Sequence, residues 1–474
     1  ERDAPAPVHP GSTDASRRLP TARNHAAWAG EWIGAADIEP PSGAIPGLDG
    51  RTRRADHEIL LFRADFALES VPNSAVLRVA SDSRHVVWVN GAEAARGPAR
   101  SQPSRMIADE VAVTHLLRSG RNTVAVQVTY YGTPNALWMP ARSSGGLGSA
   151  AALLAEIRVP EQASVLAATD SSWLVTRSHA SSRLDRSDVE GVPAEIHDAR
   201  LDPPDWQTRP PTSGWTPAAP LTAGHICGAG RARPPVDPYG SVPSQPDATA
   251  RPVVTEPVAV VHREPGSPAG VPAAAAHPSD RVREAELTAG LPLPVDHRRL
   301  RDGDVLILDF GRVVFGQVEL DIDAPAGVEL DLDLRETVAG SPAEGRHGLR
   351  YITRGHDDRF RSAEPHGFRA IALRAHGGGA DSAVLRSVHV REPGRQGRER
   401  AVFASSDPEL DALWRAGLRT LEVCSSDAYI DCPTREQRAW VGDGTVHLEV
   451  DLLTNRDADL PRRYLELCAS PGAD

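Results

Sequence analysis

The chain has 474 residues, of which 24% are charged and 40% apolar, and it carries a formal net charge of −12. That length exceeds what one hydrophobic core fills and predicts roughly three units of ~150 residues, while the composition excludes wholesale disorder. The acidic balance, with no clustered basic stripe, excludes a nucleic-acid partner, and no apolar run reaches the ~18 residues that a membrane span needs.

Every basic residue is an arginine, scattered along the chain in a way that speaks of genome composition rather than of anion recognition. Cys227, Cys424, Cys432 and Cys468 form no CxxC pair or Cys/His ligand spacing, and His85, His225, His297 and His366 show none either. No metal and no cofactor is expected. The first residues, Glu1 to Pro5, contain neither an initiator Met nor a basic-plus-apolar leader, so cytoplasmic and secreted locations both stay open.

Residues 1–27 are rich in Pro, Ala, Ser and Arg without periodicity and read as a flexible leader. From 28 to 217 short alternating runs predict an antiparallel β-sandwich: Leu61 to Phe66, Ala75 to Ala80, His85 to Val89, Asn122 to Thr129 and Ala150 to Val159. Asn90-Gly91 predicts a tight hairpin turn, since both residues tolerate positive φ. Residues 218–253 have the Pro/Gly-rich composition of a linker. A second β-sandwich is expected over 254–400, from strands at Val254 to His262, Asp304 to Asp309, Val318 to Asp323, Val328 to Leu334, Phe368 to Arg374 and Ala383 to Val390. Pro325-Ala326-Gly327 supplies a turn between two of them.

The period changes after residue 401. Asp407-Pro408 reads as an N-cap with Pro at the first helical position, and Leu410, Leu413, Trp414, Gly417, Leu418 and Leu421 recur at helical spacing. Gly442-Asp443 can start a second helix carrying Val446, Val450, Leu452 and Leu453. Between the two helices lies Asp431-Cys-Pro-Thr-Arg-Glu-Gln-Arg-Ala-Trp-Val-Gly-Asp443, with three carboxylates, two arginines and a tryptophan in one loop. Such a set suits sugar hydrolysis: one acid protonates a glycosidic oxygen, other acids hold hydroxyls, and an aromatic ring covers C–H faces.

The pattern Asp-Cys-Pro-x-Arg-Glu-x-Arg-x-Trp-x-Gly-Asp resembles the signature of bacterial α-L-rhamnosidases, glycoside hydrolase family 78. Asp309-Phe310-Gly311-Arg312 with Phe315-Gly316, Pro325-Ala326-Gly327 and His366-Gly367-Phe368-Arg369 are similar to that family's β-domain. Trp88-Val89-Asn90-Gly91 and Gly97-Pro98 are similar to its N-terminal sandwich. The resemblance implies two antiparallel β-sandwich domains followed by an (α/α)6 barrel, and hydrolysis of terminal α-L-rhamnose with inversion. It implies Glu436 as the general acid, Asp431, Trp440 and Asp443 lining the rhamnose subsite, and Arg435 beside them orienting carboxylates. The expected partner is a rhamnose-containing glycoside or polysaccharide, with neither nucleic acid nor membrane.

An inverting mechanism also needs a base, with the carboxyl pair ~6.5–9.5 Å apart. The resembled family takes it from a much later hairpin, so residues 401–474 are expected to be the truncated start of the barrel and the chain alone to turn over little substrate. Glu449 and Glu466 read as solvent-facing helix positions. Cys432 reads as a small buried residue rather than a nucleophile, His447 as a structural hydrogen-bonding group, and Trp88 as sandwich core. Two other functions stay open: a non-catalytic carbohydrate-binding or structural β-sandwich protein, and another inverting (α/α)6 glycosidase acting on a different α-L-sugar.

Overall fold

The structure is a computed structural model that describes residues 27–36, 58–101, 106–130, 151–184, 194–221, 244–245, 253–255, 259–263, 297–302, 305–338, 348–393, 401–434, 436–455 and 458–469. All but the last residue of the leader expected over 1–27 and most of the linker expected over 218–253 lie outside them. No described helix is long and apolar enough to cross a membrane.

Two sheets face each other in the N-terminal part. One runs in the order Ala219–Pro220, Ile33–Gly34, Ala152–Val159, Val76–Asp82, Ala108–Ala112 and Ser244–Gln245, with Ser164–Ala168 also on Ala152–Val159. The other runs Thr216–Pro217, Leu174–Arg177, Glu58–Leu68, Gly120–Tyr130, Arg84–Val89, Ala92–Gly97. Alternation along these strands sends Leu77, Val79, Leu153 and Ile157 from the first sheet and Leu60, Phe62, Val87 and Val126 from the second into one core. The turn predicted at Asn90-Gly91 forms, with φ of 53° and 83°. Asn90 also accepts from the Thr123 N–H and donates to Leu116 O and Asn122 Oδ1, so the hairpin is tied to the neighbouring strand.

Trp88 meets Trp206 edge-on at 5.5 Å between ring centroids, in an aromatic cluster on the outer face of the second sheet. On the outer face of the first sheet Arg78 and Glu156 sit opposite each other in register and pair at 2.7 Å, with Trp28 covering the guanidinium at 4.1 Å. A buried charge is tolerable only when paired in this way.

A third, eleven-stranded sheet is organised by one 19-residue strand, Val305–Asp323. The sequence predicts two strands here. The structure joins them, because the segment Asp309 to Val314 forms a bulge with Gly311 at φ 73° instead of a turn. The strand pairs with His366–His376 on both sides of the bulge, with Ala259–Arg263 before it, and with Asp358–Arg361 and Val384–Glu392 after it. Leu306, Leu308 and Phe310 from the first half and Val318, Leu320 and Ile322 from the second therefore enter one core, over which the sheet bends. Asp309 fixes the bulge by accepting from Gly311 N–H at 2.8 Å and from Arg369 at 3.0 Å.

The division expected at residue 217 does not follow the sheets. Ser181–Leu184 pairs with Ala194–Asp198, and Ala194–Asp198 pairs in parallel with Gly348–Ile352, so two strands from the N-terminal part complete the third sheet. Polar contacts extend that seam: Arg361 pairs with Glu93 at 2.7 Å, Arg96 donates to Ala363 O, and Glu195 accepts from Ala363 N–H.

Among the described residues three helices follow, α1 Pro408–Val423, α2 Val441–Thr454 and α3 Asp459–Cys468. Asp407 caps α1 as predicted, accepting from Glu409 N–H at 2.9 Å with Pro408 at the first position. Leu421, Tyr429, Leu460 and Tyr464 form a small core, and Phe315 of the long strand packs with Val423, Cys424 and Ile430. Much of the apolar stripe read from the sequence is nonetheless uncovered among the described residues: Leu413 is 68% and Leu453 80% exposed.

Candidate active site

The loop from Asp431 to Trp440 is irregular because its polar side chains compete with helix for the backbone groups. Asp431 N–H donates to Arg438 O at 2.8 Å, and Arg438 N–H returns to Asp431 Oδ1 at 2.9 Å, which closes the loop into a ring. Inside it Glu436 N–H donates to Cys432 Sγ at 3.5 Å, and the Cys432 thiol points to Asp431 Oδ2 at 3.6 Å. Cys432 is thus half-buried and serves as a joint of the ring. Trp440 Nε1–H donates to Glu436 Oε2 at 3.0 Å, and Arg438 lies 5.6 Å from the Trp440 ring centroid.

Of the residues singled out in the sequence, Asp431, Glu436 and Trp440 are brought together directly. Trp440 is 46% exposed and precedes the first residue of α2, so it does not sit in a core. Asp443 is exposed in the first turn of α2, where the helix dipole favours a carboxylate. Its charge acts together with that of Asp431 on Cys424 and His447. Arg435 lies outside the described residues. Glu449 and Glu466 are exposed on α2 and α3. His447 is half-buried and rests against Tyr429 at 6.0 Å.

The electrostatics follow from crowding. Burial raises Asp431 and repulsion from Glu436 adds to it, against the N–H groups of Cys432 and Arg438. Burial pushes the Cys424 thiol up to about 12, with Cys432, Asp431 and Asp443 adding to it. Burial also holds His447 below its ordinary value, outweighing Asp443, Asp431 and Asp451. No group of three or more His, Cys, Asp or Glu among the described residues is placed to hold a metal.

Both β parts press on this loop. A Cβ on Gly367 would lie 2.1 Å from Pro433 O, so only glycine lets the strand His366–His376 approach so closely. Thr434 Oγ1 donates to Glu336 Oε1 at 2.6 Å. Gln437 is fully buried with φ 57°; its Nε2 donates to Pro433 O at 3.0 Å and Pro365 O at 3.3 Å, and its carbonyl accepts from Arg100 Nη2 at 3.3 Å. Arg100 also forms a two-point contact with Asp427, through N–H at 2.7 Å and Nη1 at 2.8 Å. Sequence reasoning missed Gln437, Arg100 and Asp427. Gln437 lies within the motif and could be noticed there; Arg100 lies 327 residues from Asp427, and no local pattern links them.

The sequence matches the alpha-L-rhamnosidase N-terminal domain over residues 71–237 and the bacterial alpha-L-rhamnosidase 6 hairpin glycosidase domain over residues 398–470. An alpha-L-rhamnosidase of Formosa agariphila is 26% identical over 176 residues, covering 34% of this chain and 18% of that protein. Among solved structures, the family 78 rhamnosidase of Bacillus sp. GL1 is similar over 93% of this chain and 63% of its own, at 20% identity and a TM-score of 0.69. The alpha-L-rhamnosidase of Dictyoglumus thermophilum covers 93% and 44% at 16% identity and a TM-score of 0.63. That of Streptomyces avermitilis, solved with L-rhamnose, covers 87% and 36% at 18% identity and a TM-score of 0.55. This chain thus spans less than two thirds of the length of each. Those structures share its fold, and on the strength of the two matched domains the chain belongs to the bacterial α-L-rhamnosidase family, glycoside hydrolase family 78.

Proposed function

We propose that this chain carries the proton-donating side of an α-L-rhamnosidase active site, with Glu436 as the general acid. The observation that supports it is the placement of the Glu436 carboxyl group at a solvent-accessible edge of the loop, bonded to the Trp440 indole and electrostatically coupled to Asp431. Burial raises Asp431 and the repulsion with Glu436, which is mutual, adds to it, so the pair disfavours both carboxyl groups being ionised together. The indole N–H favours the ionised form that remains once the proton has left.

In the proposed reaction Glu436 gives its proton to the glycosidic oxygen as the bond from that oxygen to the anomeric carbon breaks. Water attacks the opposite face of the sugar and loses its proton to a carboxylate, so that the rhamnose released first has the inverted configuration. Asp431 and Asp443 are proposed to bind sugar hydroxyls, the exposed Trp440 ring to cover a C–H face, and Arg435 to orient the carboxylates. The substrate class is terminal α-L-rhamnose on a glycoside or polysaccharide.

Glu436→Gln in the intact protein tests the assignment. Turnover of p-nitrophenyl α-L-rhamnoside falls by about 10²–10⁴, the usual contribution of a positioned acid, with KM little changed. Retained turnover removes Glu436 as the acid. Proton NMR of the first-formed sugar checks inversion, and an α-anomer as first product overturns it.

A further inference from the structure

We infer that Arg100, on the N-terminal β-sandwich, is a positioning residue for the general acid, acting through Asp427 and the Gln437 carbonyl to hold Glu436 in its proton-donating geometry. This rests on the assignment of Glu436 above and extends it to a residue more than 300 positions away in the chain.

The geometry is that of a clamp. Arg100 is 3% exposed and leaves the N-terminal part just after the strand Ala92–Gly97. Its backbone N–H and Nη1 take both oxygens of Asp427, and its Nη2 reaches Gln437 O. Arg84 adds a second guanidinium 3.9 Å from Asp427 and is itself tied to Pro98 O at 3.0 Å. Burial raises Asp427, but Arg100, Arg84 and Arg463 outweigh it and hold the carboxyl well below the usual carboxylate range, so Asp427 stays ionised and the clamp charged.

What the clamp holds is the residue next to Glu436. Gln437 is kept in the left-handed region at φ 57°, a conformation that a residue with a side chain adopts at a cost of about 1 kcal/mol unless its surroundings impose it. Three elements impose it here: Arg100 on the carbonyl, Pro365 on the side-chain amide from the third sheet, and Pro433 from the loop itself. The reversal at Gln437 sets the direction of the chain on either side, and Trp440 can then reach back to Glu436 Oε2. Proton transfer needs heavy atoms within about 3 Å, so an acid that swings on a released loop loses rate while retaining its chemistry.

The test compares leaving groups in the intact protein. A 2,4-dinitrophenyl rhamnoside leaves without protonation, whereas a methyl rhamnoside needs the acid fully. Glu436→Gln loses far more rate on the methyl than on the dinitrophenyl substrate. Arg100→Ala shows the same split in smaller measure, about 10–100-fold, and Arg100→Lys recovers only part of it because an ammonium cannot span Asp427 and Gln437 O together. If Arg100→Ala does not fold, Asp427→Asn, which keeps shape and size, is read by the same ratio. Equal losses on both substrates in Arg100→Ala or Asp427→Asn overturn the positioning role. Absence of a split in Glu436→Gln removes the acid itself, a separate outcome.

Discussion

The β part and the helical part of this chain are stabilised in opposite ways. In the sheets the long strands Glu58–Leu68, Gly120–Tyr130, Val305–Asp323 and His366–His376 are covered on at least one face, and a single core takes side chains from both halves of Val305–Asp323. In the helical part Leu410, Leu413, Val446, Leu452 and Leu453 are exposed, the apolar core is small, and the loop of interest is held mainly by hydrogen bonds and ion pairs arriving from the sheets. The Asp431–Trp440 loop is therefore borrowed structure. Its shape depends on surfaces that other parts of the chain have already built.

The sharpest way to break this comparison is to make the same change on each side. Leu320 is 2% exposed in the shared core of the third sheet, and Leu320→Ala costs about 2–5 kcal/mol, read as a lowered denaturant midpoint. A loss near zero means the sheet does not carry the stability assigned to it.

The seam between the two β parts gives a second, smaller effect. Burial pushes Glu195 up to about 7, with Glu364 adding to it and the Ala363 N–H and His197 only partly opposing. The fold thus prefers the protonated acid. Its contribution is complete below the ordinary value of 4.5 and is lost as pH rises through 7. Glu195→Gln, neutral at every pH, removes that fall and is more stable than the parent by about 1–3 kcal/mol above pH 7, measured by urea unfolding at several pH values. An unchanged slope with pH removes Glu195 as its source.

The smallest effect sharpens the contrast. Leu413→Ala on α1 stays within about 0.5 kcal/mol, because a side chain 68% exposed has little contact to lose. A cost comparable to that of Leu320→Ala would mean that this face is covered in the intact protein.

Local signals were legible where the physics is local. Asn90-Gly91 specified its hairpin because both residues accept positive φ, Asp407-Pro408 specified a helix start, and alternation located most of the strands. The 309–314 bulge was not legible, since Gly311 and Asp309 suit a turn as well as a kinked strand until the partner strand is present. Nor was the exchange of Ser181–Leu184 and Ala194–Asp198 into the third sheet, because pairing partners are chosen by the whole sheet. Within the loop, the residue types are what suggested the proposed chemistry, while the bond between Trp440 and Glu436 and the ring through Cys432 emerged only from the folded backbone.

By itself the sequence determined the class of elements and the inventory of the site: acids, an aromatic and arginines in one loop between two helices, preceded by sheets. Those follow from propensity and periodicity, which act over a few residues. Tertiary structure alone decided that Gln437 is buried and turned, that Gly367 bears on Pro433, and that Arg100 reaches Asp427. Contacts across hundreds of residues depend on how sheets bend and dock, and no local pattern encodes them.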